Sequence, residues 1–211
     1  MFGLFFFLTL FLQKIMGFSP LRAGVAFLPM TFALFAVSRA APKLMPWLGA
    51  KPMMIAGMVP AIASMAWLAR VTPATGYWSG IVGPMLLLGL GMGLVFVPLT
   101  TASLAGVPAA DSGAASGLVN MLQLVGGALG LGVLVAVYGT ATRHAASHPL
   151  AGLTPLAQSQ HVVTHGIAAA FGFAAILNVC SLLVIVTLIR TRRLTPAAAP
   201  APRQQEEAIA S

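Results

Sequence analysis

The chain has 211 residues, of which 59% are hydrophobic and only 7% are charged, and its formal net charge is +8. Charged residues make up about 25% of a soluble domain, so this composition excludes one. A positive charge would suggest nucleic-acid binding in a soluble protein, but here the basic residues lie at the ends of apolar segments, as topology signals do. The sequence therefore predicts an all-α, polytopic membrane helix bundle that has the lipid bilayer, and no nucleic acid, as its partner.

The chain opens on an apolar run, Met1–Leu12, that is too short to span a membrane. As a helix it extends about 18 Å, against about 30 Å of hydrocarbon. It also lacks the basic region and the cleavage site of a signal peptide. We therefore expect the chain to begin inside a longer helix, as a fragment or from a start site placed too late. Four phenylalanines of this run are expected to face lipid rather than a drug site: Phe5, Phe6, Phe7 and Phe11.

Two full spans are predicted in the next 70 residues. The predicted spans are Ala23–Ala41 and Met53–Ala69, and the predicted connections are Gln13–Arg22, the tight basic loop Pro42–Pro52 and the turn Val71–Trp78. Pro29 predicts a kink in the first of these spans. Tyr77 and Trp78 are aromatic residues of the kind that lie at a membrane interface.

Three more spans are predicted in the second half of the chain. The spans are Gly83–Ser103, Ser112–Tyr138 and Val162–Ile189, and the connections are Leu104–Asp111 and the longest loop, Gly139–Gln160. Asp111 is expected to cap the helix that follows it, with a gating contact to a cytosolic basic residue as the alternative. Cys180 lies within a span as the only cysteine, so an internal disulfide is excluded and a packing role is expected.

The span Ser112–Tyr138 is amphipathic in a way that suits a transporter. At about 100° per residue, one arc of roughly 80° collects small and amide side chains. Its members are Ser116, Asn120, Gln123, Gly127 and Gly130, and the opposite side carries Leu118, Leu122, Val125 and Leu129. Because unpaired amides are costly in lipid, Asn120 and Gln123 are expected to line a water-filled cavity or to form interhelical hydrogen bonds.

Glycines recur at helical spacing in both central spans. Such small residues allow helices to approach closely, so they are expected to form packing seams. The predicted helix-packing glycines are Gly89, Gly93, Gly113, Gly117, Gly126, Gly127 and Gly130. In the first of these spans, Phe96 and Thr100 share an arc with Gly89 and Gly93, which suggests that the same face also reaches a cavity.

The basic residues predict an orientation. Alternating the spans places seven of them on one side (Arg39, Lys43, Lys51, Arg190, Arg192, Arg193 and Arg203) and four on the other (Lys14, Arg22, Arg70 and Arg143). The side richer in basic residues faces the cytosol. The C-terminus is therefore expected to be cytosolic, with Arg190, Arg192 and Arg193 bound to anionic headgroups.

Several motifs together resemble one transporter family. They are Leu12-Gln13, the run Gly17-Phe18-Ser19-Pro20-Leu21, the run Phe27-Leu28-Pro29, GLGMGLVFVPL (89–99) and ASGLVNMLQLVGGALG (115–130). In this order they resemble the C-terminal half of fourteen-span drug:proton antiporters of the major facilitator superfamily, over nearly all of residues 5–190. The loop signature of that family is matched only in part, at Leu48-Gly49-Ala50-Lys51-Pro52, where its acidic residue is missing.

The resemblance implies a multidrug efflux transporter of the bacterial plasma membrane that works by alternating access between two halves. Residues 1–193 would form its C-terminal six-helix half, with a truncated first helix, and 194–211 a disordered cytosolic tail. Proton coupling needs an acidic group inside the membrane. The acidic residues here are Asp111, Glu206 and Glu207, none of them in a predicted span. The coupling groups are therefore expected in a missing N-terminal half.

The predicted ligand is a small hydrophobic or cationic drug. The cavity candidates are amides, one hydroxyl residue, and methionine and aromatic side chains that can re-pack around varied ligands. These are Gln13, Phe27, Met30, Phe96, Thr100, Asn120 and Gln123. Two alternatives remain open: an exporter of one specific metabolite with the same fold, and a self-associating membrane protein that transports nothing.

Enzymatic activity, a cofactor and a metal are not expected. The sequence shows no nucleophile–base pair and no phosphate-binding loop. The pairs His144/His148 and His161/His165 have helical spacing, but no cysteine or carboxylate accompanies them. They are expected to be solvated residues of an outer loop rather than metal ligands.

Overall fold

A computed structural model of the chain describes residues 2–104, 106–150 and 152–188, without the side chains of Ala109 and Leu188. This part of the chain is helical throughout, apart from its connections. The helices are α1 (Phe2–Lys14), α2 (Pro20–Ala26), α3 (Leu28–Leu48), α4 (Ala50–Leu68), α5 (Val82–Leu104), α6 (Ser112–Ser147) and α7 (Pro155–Leu188), with a π-helical turn at Tyr77–Ile81 and a 3₁₀ turn at Ala109–Asp111.

Five stretches are long and apolar enough to cross a membrane. They are Pro20–Leu48, Ala50–Leu68, Tyr77–Leu104, Ser112–Ser147 and Pro155–Thr187. The first helix, Phe2–Lys14, is apolar but shorter. The predicted fold class, a membrane helix bundle with five full spans and a truncated first one, is confirmed.

The bundle has two ends. The Gly49 end carries the turn at Gly49 and the connection 105–111, and the Gly76 end carries the loop 69–76 and the connection 148–154. Because the helices alternate in direction, α1 runs toward the Gly76 end and α7 returns to the Gly49 end. Lys51, at the start of α4, is therefore close enough to the end of α7 for its Nζ to donate a hydrogen bond of 2.7 Å to the carbonyl of Val186.

The main hydrophobic core lies toward the Gly76 end, where α1 is surrounded by its neighbours. Phe7 and Phe11 are fully buried there, and Phe7 contacts Tyr138 of α6 and Phe171 of α7 with ring centroids 5.5 and 6.3 Å apart. The expectation that these two rings face lipid is therefore wrong, because α1 packs against α6 and α7 along this side. Phe5 and Phe6 are exposed, as a lipid-facing position requires.

The predicted loop Pro42–Pro52 is also wrong. α3 continues as a helix through Pro42 and Pro46 to Leu48, and α4 begins at Ala50. The reversal is made by Gly49, whose positive φ of 78° is open to glycine without steric cost. The kink predicted at Pro29 corresponds to a break at Phe27, which separates α2 from α3 and leaves Pro29 in the first turn of α3.

The longest predicted loop, Gly139–Gln160, is mostly helical. α6 continues to Ser147 and α7 begins at Pro155, so the connection is short. The polar side chains past the apolar stretch satisfy themselves on the helix: Thr140 and Thr142 donate to the carbonyls of Val137 and Tyr138 at 2.8 and 2.9 Å. The loss of hydropathy near Tyr138 therefore does not mark the end of the helix.

The remaining expectations about the C-terminal end fall on a part of the chain that is not described. Ile189, the arginines Arg190, Arg192 and Arg193, and the tail Leu194–Ser211 all lie outside the described residues. Their structure is therefore left as predicted from the sequence.

Candidate functional site

α5 contains two glycine faces, and each one meets a different neighbouring helix. A β-carbon at Gly89 would meet the carbonyl oxygen of Met30, and one at Gly93 would lie 2.8 Å from the side chain of Val37. Both neighbours belong to α3. Gly89 and Gly93, which the sequence assigned to packing, thus lie where α3 and α5 approach too closely for a larger side chain.

The second glycine face of α5 was missed by the sequence reasoning. A β-carbon at Gly91 would lie 2.5 Å from the carbonyl oxygen of Gly57 in α4, and 3.1 Å from Cβ of Ala61. One turn further along α4, the buried Ser64 donates a hydrogen bond of 2.7 Å to the carbonyl of Pro84. The spacing Gly57, Ala61, Ser64 in one apolar span was the signal that could have identified this seam.

The first half of α6 has few neighbours among the described residues. A β-carbon at Gly113, Gly117, Gly126 or Gly130 would meet nothing within 4 Å. Gly127 differs, because a β-carbon there would meet the ring of Phe2, where α1 begins. Of the predicted packing glycines in α6, Gly127 is thus the one against which another helix lies. For the other four glycines, packing against another helix stays a prediction.

The side of α6 that carries Asn120 and Gln123 is the side that is buried against other helices nearer the C-terminal end of α6. Leu134 and Ala145, which share the arc of Gln123, are buried. Since an α-helix keeps one face on one side, this places the arc on the bundle side of α6 rather than on its outer side. Around residues 120–123 the arc is open: Asn120 is exposed and Gln123 half-buried, and neither amide makes a hydrogen bond within the described residues.

The other cavity candidates are spread over three helices. Phe96 and Thr100 lie in the last turns of α5, so they share the Gly49 half of the bundle with Asn120 and Gln123. Thr100 is not free to act as a simple donor, because its hydroxyl contacts the carbonyls of Phe96 and Val97 at 2.9 Å. Phe96 is 42% exposed.

The three remaining candidates lie away from that group. Met30 is 3% exposed and belongs to the hydrophobic core. The ring of Phe27 lies 5.1 Å from that of Phe5, between α2 and α3. Gln13 is half-buried near the end of α1, toward the Gly76 end. The structure therefore brings four of the seven candidates into one half of the bundle and leaves Gln13, Phe27 and Met30 elsewhere.

Comparison with known proteins identifies the fold. A family model described as the Major Facilitator Superfamily matches residues 1–131, which is more than half of the chain. The chain belongs to the Major Facilitator Superfamily. The family predicted from the motifs is thus confirmed, and the described bundle is part of a membrane transporter fold.

The relatives of this facilitator chain include exporters and resistance proteins of actinobacteria. A cephamycin export protein of Amycolatopsis lactamdurans is 40% identical over 138 residues, which are 65% of this chain and 28% of the relative. A puromycin resistance protein of Streptomyces alboniger is 35% identical over 196 residues, which are 91% of this chain and 38% of the relative. This chain therefore spans well under half the length of these relatives.

Three of the four histidines of the facilitator chain lie within helices. His144 lies in α6, and His161 and His165 lie in α7, so the prediction that the histidines belong to an outer loop is wrong for these three. The ring centroids are 4.7 Å apart for His144/His148 and 6.2 Å apart for His161/His165, and Nδ1 of His148 also lies 3.1 Å from the hydroxyl oxygen of Ser147. In the described part of the chain, no group of three or more potential metal ligands is found.

Asp111 does not cap α6 with its side chain. It precedes Ser112, but its φ of −100° and ψ of −1° are not the extended conformation that capping residues adopt, and it makes no capping hydrogen bond. The preceding 3₁₀ turn, Ala109–Asp111, holds it in this conformation. The predicted cap is therefore wrong, and the alternative, a gating contact, stays a prediction.

Proposed function

We propose that this chain is part of a drug exporter of the bacterial plasma membrane, which moves hydrophobic or cationic compounds by alternating access. The observation that carries the proposal is the pair Asn120 and Gln123 on the bundle side of α6, without hydrogen-bond partners among the described residues. An unpaired amide in hydrocarbon costs several kcal/mol, as any unsatisfied polar group does there. Both amides therefore face water, a solute or another protein surface, as a cavity wall requires.

The names of the relatives support export as the activity. They are a cephamycin export protein, a puromycin resistance protein and a tetracenomycin C resistance and export protein. The last of these, from Streptomyces glaucescens, is 33% identical over 138 residues. In this proposal, Asn120, Gln123, Phe96 and Thr100 line the path of the solute.

Proton coupling is proposed for the longer protein rather than for the residues described. Alternating access driven by protons requires a group that gains and loses a proton inside the barrier. Apart from Asp111 at the Gly49 end, the described residues hold no carboxylate. The coupling carboxylates would lie in an N-terminal half, and the Gly49 end and C-terminus would face the cytosol.

A second candidate is an exporter dedicated to one metabolite made by the cell. Two of the relatives are named for the export of a single antibiotic, and these names support the second candidate. The two candidates differ in the number of unrelated compounds to which the transporter confers resistance. A self-associating protein that transports nothing would confer resistance to none.

The proposal is tested by substituting leucine for each amide in the full-length protein that contains this chain. Asn120→Leu and Gln123→Leu should lower resistance by about fivefold, the effect of losing one hydrogen bond of about 1 kcal/mol. Asn178→Leu is the matched control, because the amide of Asn178 already bonds its own helix at the carbonyl of Ala174, 3.0 Å away. Unchanged resistance to every compound, with normal insertion, would remove Asn120 and Gln123 from the site.

A further inference from the structure

A pocket of about 620 Å³ lies at the Gly76 end of the bundle, far from the proposed solute path. It is formed where α4 ends and the chain turns through the loop 69–76 into the π-helical turn. None of the seven cavity candidates lines it. Because it differs from the proposed path in position and in lining, it requires its own explanation.

One side of this pocket carries an unpaired cation. Arg70 lines the pocket, and its guanidinium makes no hydrogen bond or ion pair within the described residues. The described acidic residue, Asp111, lies beyond the opposite end of α5. A guanidinium presents a planar set of donors that matches the oxygens of a phosphate or carboxylate. Arg70 is exposed, so its guanidinium is free to bind such an anion.

Hydroxyl groups next to Arg70 add further donors. The hydroxyls of Thr72 and Thr75 lie 3.1 Å apart, and the Thr75 oxygen also accepts the backbone N–H of Thr72 at 2.8 Å. Whichever hydroxyl donates to the other, one hydroxyl hydrogen remains available. The loop thus offers a neutral donor beside a cation, which is the arrangement that an oxyanion needs.

The other side of the pocket is apolar. Ala63, Ala66 and Trp67, on the last turns of α4, line this wall and are exposed. Gly80 leaves space for the side chain of Thr75, because a β-carbon at Gly80 would meet that side chain. The neighbouring Trp78 is 81% exposed, as expected of an aromatic at the membrane interface. A ligand that fits both sides has an anionic head and an apolar tail.

We propose that this pocket binds an anionic phospholipid, whose phosphate contacts Arg70 and the threonine hydroxyls while an acyl chain lies along Ala63, Ala66 and Trp67. The lipid neutralises the cation and fills the space between α4 and the loop. This site is independent of the solute path, so a transporter that fails the resistance test could still bind the lipid.

Trp67 provides a direct reporter of the tail. The chain is prepared in mixed micelles with Trp47→Phe and Trp78→Phe, so that Trp67 is its remaining tryptophan, and its fluorescence is quenched with brominated phosphatidylglycerol or brominated phosphatidylcholine. Quenching by the anionic lipid is expected at about fivefold lower mole fraction, which is the effect of one specific hydrogen-bonded contact, here between the phosphate and Arg70. Arg70→Gln should remove this preference and Arg70→Lys should keep part of it.

Arg22→Gln is the matched control. Arg22 lies at the same end, and its guanidinium stacks 5.8 Å from the ring of Phe18 outside the pocket, so its loss should leave the preference unchanged. Equal quenching by the two lipids, or an Arg70→Gln variant that retains the preference, would overturn the proposal. Loss of the preference on adding millimolar inorganic phosphate would identify free phosphate as the ligand and would also overturn it.

Discussion

Gly57 and Gly91 face each other across α4 and α5, and each occupies the space that a side chain on the other would need. A β-carbon at Gly91 would lie 2.5 Å from the carbonyl oxygen of Gly57, and one at Gly57 would lie 2.7 Å from the carbonyl oxygen of Gly91. The obstacle is backbone on both sides, so it cannot rotate away. With Gly89 and Gly93 against α3, this contact shows that α5 packs closely against both α3 and α4.

Substitution of Gly91 by valine should therefore destabilise the chain. The added carbons would push α4 and α5 apart, at a cost of about 1–3 kcal/mol, which is typical of overpacking. The measurement is the free energy of unfolding in detergent, followed by circular dichroism. Gly130→Val is the control, since a β-carbon there meets nothing within 4 Å. Equal losses in the two variants would contradict the seam between α4 and α5.

Ser64 should make a smaller, separate contribution to the free energy of unfolding, through the same interface between α4 and α5. Its hydroxyl is buried and donates to the carbonyl of Pro84 at 2.7 Å. Hydrogen bonds between membrane helices average about 0.6 kcal/mol, so Ser64→Ala should lower stability by about that much. Ser181→Ala is the control, because the exposed Ser181 bonds only the carbonyl of Leu177 in its own helix. A stability of Ser64→Ala equal to that of the control would show that the bond contributes nothing.

Lys51 should stabilise the Gly49 end through the last described turn of α7. Its Nζ donates to the carbonyl of Val186 at 2.7 Å, near the negative end of the helix dipole. Lys51→Met should cost about 0.3–1 kcal/mol, and more at low salt than at high salt. Lys43→Met is the comparison, since the exposed Lys43 makes no hydrogen bond within the described residues. A loss that does not depend on salt would argue against the electrostatic contact.

Water access to α6 can decide between the two expectations for its amides. In a full-length protein with Cys180→Ser, Asn120→Cys should react with a membrane-impermeant thiol reagent if the arc lines an aqueous cavity. Leu122→Cys, on the opposite side of the helix, should not react, because a thiol in hydrocarbon stays protonated and inaccessible. Labelling is read by mass shift on a gel. Protection of the new thiol in the Asn120→Cys variant would favour interhelical hydrogen bonds instead.

The positions of the spans could be predicted because they depend on local composition. Gly83–Ser103 corresponds closely to α5, and Ser112–Tyr138 lies wholly within α6. The ends of the helices were less predictable. α6 continues past Tyr138, where threonine hydroxyls bond carbonyls of their own helix, and α3 accommodates two prolines before Gly49 turns the chain.

The sequence alone determined that this chain is a membrane helix bundle and how many of its helices are long and apolar enough to cross a membrane. Each of these follows from the energy of placing individual residues in hydrocarbon, which needs no knowledge of neighbours. Only the tertiary structure decided that Gly57 contacts Gly91, that Phe7 and Phe11 are buried, and that Arg70 lines a pocket. Those facts depend on which helix lies beside which, and apolar surfaces of similar composition do not specify their partners until they are packed.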